Sequence, residues 1–279
     1  CSRSPDGPDA VRRGSVWFRW GLPRTTTPRT CRVSDRRQRP GGNETISNVD
    51  DGSTLLSSRA VEGLLSAAVE HAGGRLVDWT LDHIDTHPRH STTATYSAVV
   101  DWPFGRREEL LGVSARAHGL AASDERAEIF ADGDREVAVW LYPRDPDLPG
   151  LERAAYPDSM AEVLRGARLI GPNETGADLD LEMIGYRPRR RAVLRVRSLT
   201  SGEVFYVKVL RERSFADVLH RHQLFSSAGV PAPDVAHATN DFLLVLRELP
   251  GRPLAQAVFD EEPPCTAEQL VEVLDTMPA

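Results

Sequence analysis

Two blocks of short strand-like runs, divided by the proline-rich break YPRDPDLPG (142–150), constrain this chain more than any other feature. A short strand buries little by itself, so it must pair into a sheet and be covered on its apolar side. The first block opens on SSRAVEGLLSAAVEHAGG, where Val61, Leu64, Leu65, Ala68 and Val69 recur on one helical face. Ser57 or Ser58 can cap the start of this helix, and Gly73-Gly74 can end it. RLVDWTLD, TTATYSAVVDW and EELLGVSARA then read as strands, and AEIFADGDREVAVWLY as a hairpin with Asp132-Gly133 near its turn. Trp79, Trp102 and Trp140 are expected in the core of this sheet. After the break, YPDSMAEVLRGA reads as a short connecting helix.

The second block repeats the logic with one longer helix. ADLDLEMIGY is a strand, RPRRR a basic turn, and AVLRVRSLTSGEVFYVKVL a hairpin with Ser201-Gly202 at its tip. SFADVLHRHQLFSSAG places Phe215, Val218, Leu219, His222 and Phe225 on one helical face. VPAPDVAHA is a proline-stiffened turn into a strand, and DFLLVLRELPGRPL is an apolar strand running into a Pro-Gly break. The expected fold class is α+β, with a disordered segment over 1–52, a helix-plus-antiparallel-sheet module over 53–170, a second antiparallel sheet with one long helix over 171–260, and a linker with the first turns of a helix over 261–279.

The 1–52 segment is rich in arginine, proline, glycine, serine and threonine and has no apolar period, which predicts disorder. VWFRWGL is too short and too interrupted for a secretory signal. A net charge of −7 argues against a general nucleic-acid binder. No run approaches the roughly 18 apolar residues of a membrane span, so no membrane partner is expected. The three cysteines, Cys1, Cys31 and Cys265, are scattered without a CxxC pair, which fits a reducing cytoplasm.

Lysine usage adds a chemical constraint. Lys and Arg total 34, and Lys208 is the single lysine, so 33 are arginine. Lys208 sits in the middle of the apolar run VFYVKVL. Arginine is a broad planar fork and lysine a compact point charge on a flexible stem, so a lone lysine on a buried strand marks either a place where the fork would not serve or a chance survivor in an arginine-biased chain.

The runs YVKVL, LFSSAGVPAPDV and LLVLRELPGRPL, in this order, resemble the small lobe of protein-kinase-like folds. More narrowly, they resemble the aminoglycoside phosphotransferase family of small-molecule kinases, in an actinobacterial type with an added N-terminal cap domain. The resemblance covers about 177 to 260, near a third of the chain. It implies ATP and Mg²⁺ as cofactors, and transfer of a phosphoryl group to a hydroxyl of an aminoglycoside, sugar or related polyol. Lys208 matches the lysine that contacts the α- and β-phosphates. Glu248 and Leu249 match the hinge that reads adenine, and Val193 the residue that roofs the base. The GVPAP turn holds the helix against the sheet without direct chemistry.

The departures from the family pattern are specific. The phosphate loop GYRPRRR is not glycine-rich; Arg187, Arg189, Arg190 and Arg191 either form a solvated basic turn or, with Arg189 and Arg190 as site residues, grip phosphate. The helix after Lys208 offers Asp217 or His222 where the family has a glutamate; Asp217 is read as the partner, or else as a solvated first-turn aspartate. Tyr206, two before Lys208, shares its strand face and narrows the adenine pocket or stacks on the base. No His-Gly-Asp segment occurs, so no catalytic residue is assigned. The catalytic loop and the metal ligands are expected in a large lobe beyond Ala279, and a piece lacking them is expected to be inactive. The alternative is a non-catalytic nucleotide- or protein-binding module on a kinase-like scaffold.

Other clusters carry weaker chemistry. DHIDTHPRHS gathers His83, His87 and His90 with Asp82 and Asp85, as either a metal group or a polar loop joining two strands; the loop is the expectation and no metal ligand is assigned. Ser114 and Ser198 lack a nucleophile-elbow setting. The acidic pairs in REE (107–109) and DEE (260–262) read as solvated faces or linker.

Overall fold

The computed structural model describes residues 51–88, 90–116, 126–132, 135–251, 257 and 265–275. The segment expected to be disordered lies, through residue 50, outside the described residues. The architecture is α+β, built on two five-stranded antiparallel sheets.

The first sheet contains β1 (Arg75–His87), β2 (Ser91–Trp102), β3 (Gly105–Arg116), β4 (Glu128–Asp132) and β5 (Arg135–Leu141), in the order β1-β2-β3-β5-β4. Helices α1 (Ser53–Ser57) and α2 (Glu62–His71) cover one face. Val61, Leu65, Ala68 and Val69 are buried there against Ala94, Tyr96, Val113 and Val139, as their spacing predicts. Ser58 caps the 3-10 turn Arg59–Val61 that leads into α2, its side chain accepting from the Ala60 N–H. At the other end Gly73 takes φ +86°. Its N–H donates to Glu70 and the Gly74 N–H to Val69, a Schellman stop that a Cβ-bearing residue would strain.

Three expectations are corrected here. The His/Asp run is not a loop: β1 continues to His87, and only a tight turn separates it from β2, with the His90 N–H donating to the His87 carbonyl at 2.9 Å. An edge strand with an exposed face accommodates such polar residues. Trp140 is buried as expected, but not in the core beneath α2. Val137 and Val139 fill that core, so strand alternation sends Trp140 to the opposite face. Finally, the helix in YPDSMAEVLRGA is no mere connector. Helices α3 (Leu151–Ala155) and α4 (Pro157–Gly166) bury Leu151, Ala154, Met160, Ala161, Val163 and Leu164 in the second core, so the boundary between modules falls near the proline-rich break rather than at residue 170.

The second sheet contains β6 (Leu179–Arg187), β7 (Arg191–Ser198), β8 (Val204–Leu210), β9 (Val235–Ala238) and β10 (Leu243–Arg247), in the order β6-β7-β8-β10-β9. Ala192, Leu194, Val196, Phe205, Val207, Val209, Leu243 and Val245 alternate onto the face that α3 and α4 cover. The helix α5 (Glu212–Ser227) lies on the other face. Its inward residues are those the spacing predicts, but only His222 among them is buried. The described chain ends in a helix over Ala267–Asp275 that leaves Leu270, Val271, Val273 and Leu274 exposed.

The proline-rich break packs tightly between the sheets. Asp145 is 1% exposed. Its Oδ2 accepts from the Tyr186 hydroxyl at 2.7 Å and from the Arg189 N–H at 2.8 Å, and its Oδ1 accepts from the Asp147 N–H at 2.9 Å. The Trp140 Nε1–H donates to the Tyr186 oxygen at 2.8 Å, which joins β5 of the first sheet to β6 of the second. Burial pushes the Asp145 carboxyl above its ordinary range, and these donors pull it part of the way back.

Candidate functional site

The site is built on β8 by alternation. Val207 and Val209 point into the core, so Tyr206 and Lys208 share the opposite face. Cross-strand pairing sets Val193 of β7 opposite Lys208, and Gly185 of β6 opposite Val193. Pairs directly opposite share a face, so Lys208, Val193 and Gly185 form a row across three strands, with Arg191 two residues from Val193 on the same side.

Lys208 is half-buried on this face, and its partner is an imidazole. Its Nζ lies 3.1 Å from Nε2 of His222, and His222 Nδ1 lies 3.2 Å from the Pro233 carbonyl oxygen. The carbonyl can only accept, so Nδ1 carries the proton and Nε2 offers its lone pair to the ammonium. Burial, and then the charge of Lys208, lowers the His222 pKa, which keeps the ring neutral as this geometry requires. Burial, and then the charge of Arg191, lowers the Lys208 pKa as well. Among the described residues Lys208 makes no ion pair.

His222 is held in this orientation by the end of its own helix. Gly229 takes φ +71°, the Gly229 N–H donates to Ser226 and the Val230 N–H to Phe225. This Schellman stop turns the chain back so that Pro233 reaches the imidazole. The GVPAP turn, read in the sequence as free of direct chemistry, therefore supplies the carbonyl that sets the histidine tautomer. Asp217 is exposed, and its five-residue offset from His222 places it about 140° around the helix at ~100° per residue. His222 is the residue that meets Lys208.

The arginines of the β6–β7 turn divide between two tasks. Arg189 does not face the Lys208 side. It adopts φ +58° and is 5% exposed, its NH1 lies 3.1 Å from Asp147 Oδ1, and its guanidinium sits 5.2 Å from the Trp140 ring centroid. A guanidinium so enclosed is committed to the junction between the sheets and cannot turn to a phosphate. Arg190 reaches the first module, with NH1 2.7 Å from Asp85 Oδ2 on β1. Arg189 and Arg190, the two arginines expected to grip phosphate, are thus both engaged by aspartates. Arg187 and Arg191 instead line an open groove of about 270 Å³ with His83, Ile184, Gly185, Tyr186 and Val193. Neither arginine makes an ion pair among the described residues. The signal for this division was the strand alternation on either side of the turn, which puts Arg187 and Arg191 on the Val193 face.

The hinge candidates lie at the end of β10. The Glu248 N–H donates to the Val204 carbonyl at 3.2 Å, and both Glu248 and Leu249 are exposed. Tyr206 pairs with Leu246 of β10 and Arg195 of β7, and so stands between this end of the strand and Lys208.

The arrangement can hold an anion. Burial and the charge of Arg191 destabilise the Lys208 ammonium, and an anion before it would relieve it. Among the described residues no three His, Cys, Asp or Glu side chains gather into a metal-binding group. No described helix is long and apolar enough to cross a membrane. No family model, no curated protein and no solved structure matches this chain.

Proposed function

We propose that this chain carries the nucleotide-binding portion of a cytoplasmic ATP-dependent phosphotransferase whose acceptor is a hydroxyl of an aminoglycoside, sugar or related polyol. The observation that carries the reading is Lys208: a solitary ammonium on a central strand, paired with a neutral imidazole rather than a carboxylate, and destabilised by burial and by the charge of Arg191. Such a group is short of negative charge, and the α- and β-phosphates of a nucleotide supply it. Val193 and Tyr206 would contact the base, and the exposed backbone around Leu249 would read its edge. ATP, when bound, supplies the phosphoryl group. This chain's residues hold and orient it. The described residues do not fit a Mg²⁺ site, so no step is assigned to a metal.

A second reading has its own observation. A carboxylate beside Lys208 would lock the lysine by charge, whereas His222 holds it only by a hydrogen bond, which suits a nucleotide sensor that binds without transfer. Titration of ATP into the full 279-residue chain tests the shared premise. Binding that is lost in Lys208→Ala, with the circular dichroism spectrum retained, supports it; affinity unchanged in that variant removes it. ADP release that depends on an added sugar or aminoglycoside, assayed on a protein extended through the expected catalytic lobe, separates the phosphotransferase from the sensor.

A further inference from the structure

The groove beside Val193 has one wall that belongs to the other module. His83 lies on β1 of the first sheet, yet it lines the same groove as Arg187, Arg191, Gly185 and Val193 of the second. The placement is fixed from both sides. Arg190 grips Asp85 two residues further along β1, and the Trp140–Tyr186–Asp145 chain with the buried Arg189 locks the β6–β7 turn to the break between modules. Asp85, the acidic residue nearest to His83 along its own strand face, is occupied by Arg190. Asp82, adjacent to His83, accepts from the Ser97 hydroxyl at 2.7 Å. Among the described residues, the polar groups lining the groove without an ion pair are donors: the guanidinium groups of Arg187 and Arg191 and an imidazole N–H of His83. Gly185 adds an open approach, since a Cβ there would meet nothing within 4 Å. Cationic forks, an imidazole and a glycine around one open groove are the chemistry of a multiply charged oxyanion.

We propose that this groove binds the polyphosphate end of a nucleotide, and that the N-terminal module is a fixed wall of that site through His83. The assignment rests on the nucleotide reading above and extends it: Lys208 takes the inner phosphates, while Arg187, Arg191 and His83 take the outer ones. The first module thus acts as part of the binding surface, positioned by the Arg190–Asp85 pair.

The experiment uses the full 279-residue chain and two probes, ATP and inorganic tripolyphosphate, titrated calorimetrically at low and moderate salt. Both probes are expected to bind. Each of His83→Ala, Arg187→Ala and Arg191→Ala is expected to weaken both by about tenfold, the loss typical of one charge-assisted hydrogen bond. Arg107→Ala, at the far end of the first sheet, removes the same charge as the arginine variants and is expected to leave both affinities unchanged. Thermal unfolding of each variant confirms that it is folded. ATP binding that is indifferent to His83→Ala and Arg187→Ala overturns the groove assignment and leaves the nucleotide reading intact. Tripolyphosphate binding that is sensitive to these variants, without ATP binding, keeps the groove as an anion site and overturns the nucleotide reading. Absence of binding by either probe overturns both.

Discussion

Tyr186→Phe removes one oxygen from the junction between the two sheets and leaves the ring in place. That oxygen accepts from Trp140 Nε1 at 2.8 Å and donates to Asp145 Oδ2 at 2.7 Å. Trp140 is 2% exposed and Asp145 1% exposed, so water cannot substitute for either bond. A lost hydrogen bond to a charged group costs about 1.5–3 kcal/mol, and a buried donor left unsatisfied costs about 1–3 kcal/mol. Allowing for relaxation, the variant should lose about 2–4 kcal/mol, or ~4–8 °C in midpoint at roughly 2 °C per kcal/mol for a chain of this size. Urea unfolding followed by tryptophan fluorescence and circular dichroism measures it. The deficit also has a pH signature. Burial raises the folded-state pKa of Asp145 and the Tyr186 hydroxyl lowers it, so the variant raises it further. A carboxyl whose folded pKa is raised costs stability above that pKa and regains it as the pH falls toward the unfolded value near ~3.9. The variant regains more than the parent does, so its deficit should shrink as the pH falls toward the unfolded value. Other titrations are common to both proteins and cancel in the difference. A deficit below about 0.5 kcal/mol at pH 7, less than a single typical hydrogen bond, or one that grows on acidification, would refute this account of the junction.

Further outcomes are expected elsewhere. Lys208→Arg should lose nucleotide binding almost as fully as Lys208→Ala, because the guanidinium cannot meet the His222 lone pair and the phosphates as a point charge does; calorimetry with ATP checks it. His222 has a lowered folded pKa, so its neutral form contributes stability above the unfolded value near ~6.5 that is lost as the pH falls through the folded value; His222→Gln should remove that acid-side slope in unfolding free energy measured from pH 7 to 5. Gly112→Ala should cost about 1–3 kcal/mol, because a Cβ at Gly112 would overlap the indole of its cross-strand partner Trp140. Its distinguishing mark is altered near-ultraviolet dichroism from a displaced Trp140, with far-ultraviolet dichroism retained.

What the sequence determined by itself was everything that depends on local period. The spacing of Val61, Leu65, Ala68 and Val69 assigned the helix and its buried face, and the period of two in VFYVKVL put Tyr206 and Lys208 on one strand face. The glycines at 73, 202 and 229 marked stops and turns because each must take positive φ. These signals are carried by neighbours in the chain, so they survive without knowledge of the fold. What only the tertiary structure decided was which polar groups meet across the chain. Alternation sends Arg191 to the groove face, but nothing local says that Arg189, two residues earlier, is enclosed by Asp145, Asp147 and Trp140. Nothing local says that Pro233 orients His222, that Asp85 pairs with an arginine 105 residues away, or that α3 and α4 belong to the second core. Buried hydrogen bonds and ion pairs take their strength from the desolvation around them, and that environment exists only once both sheets have packed.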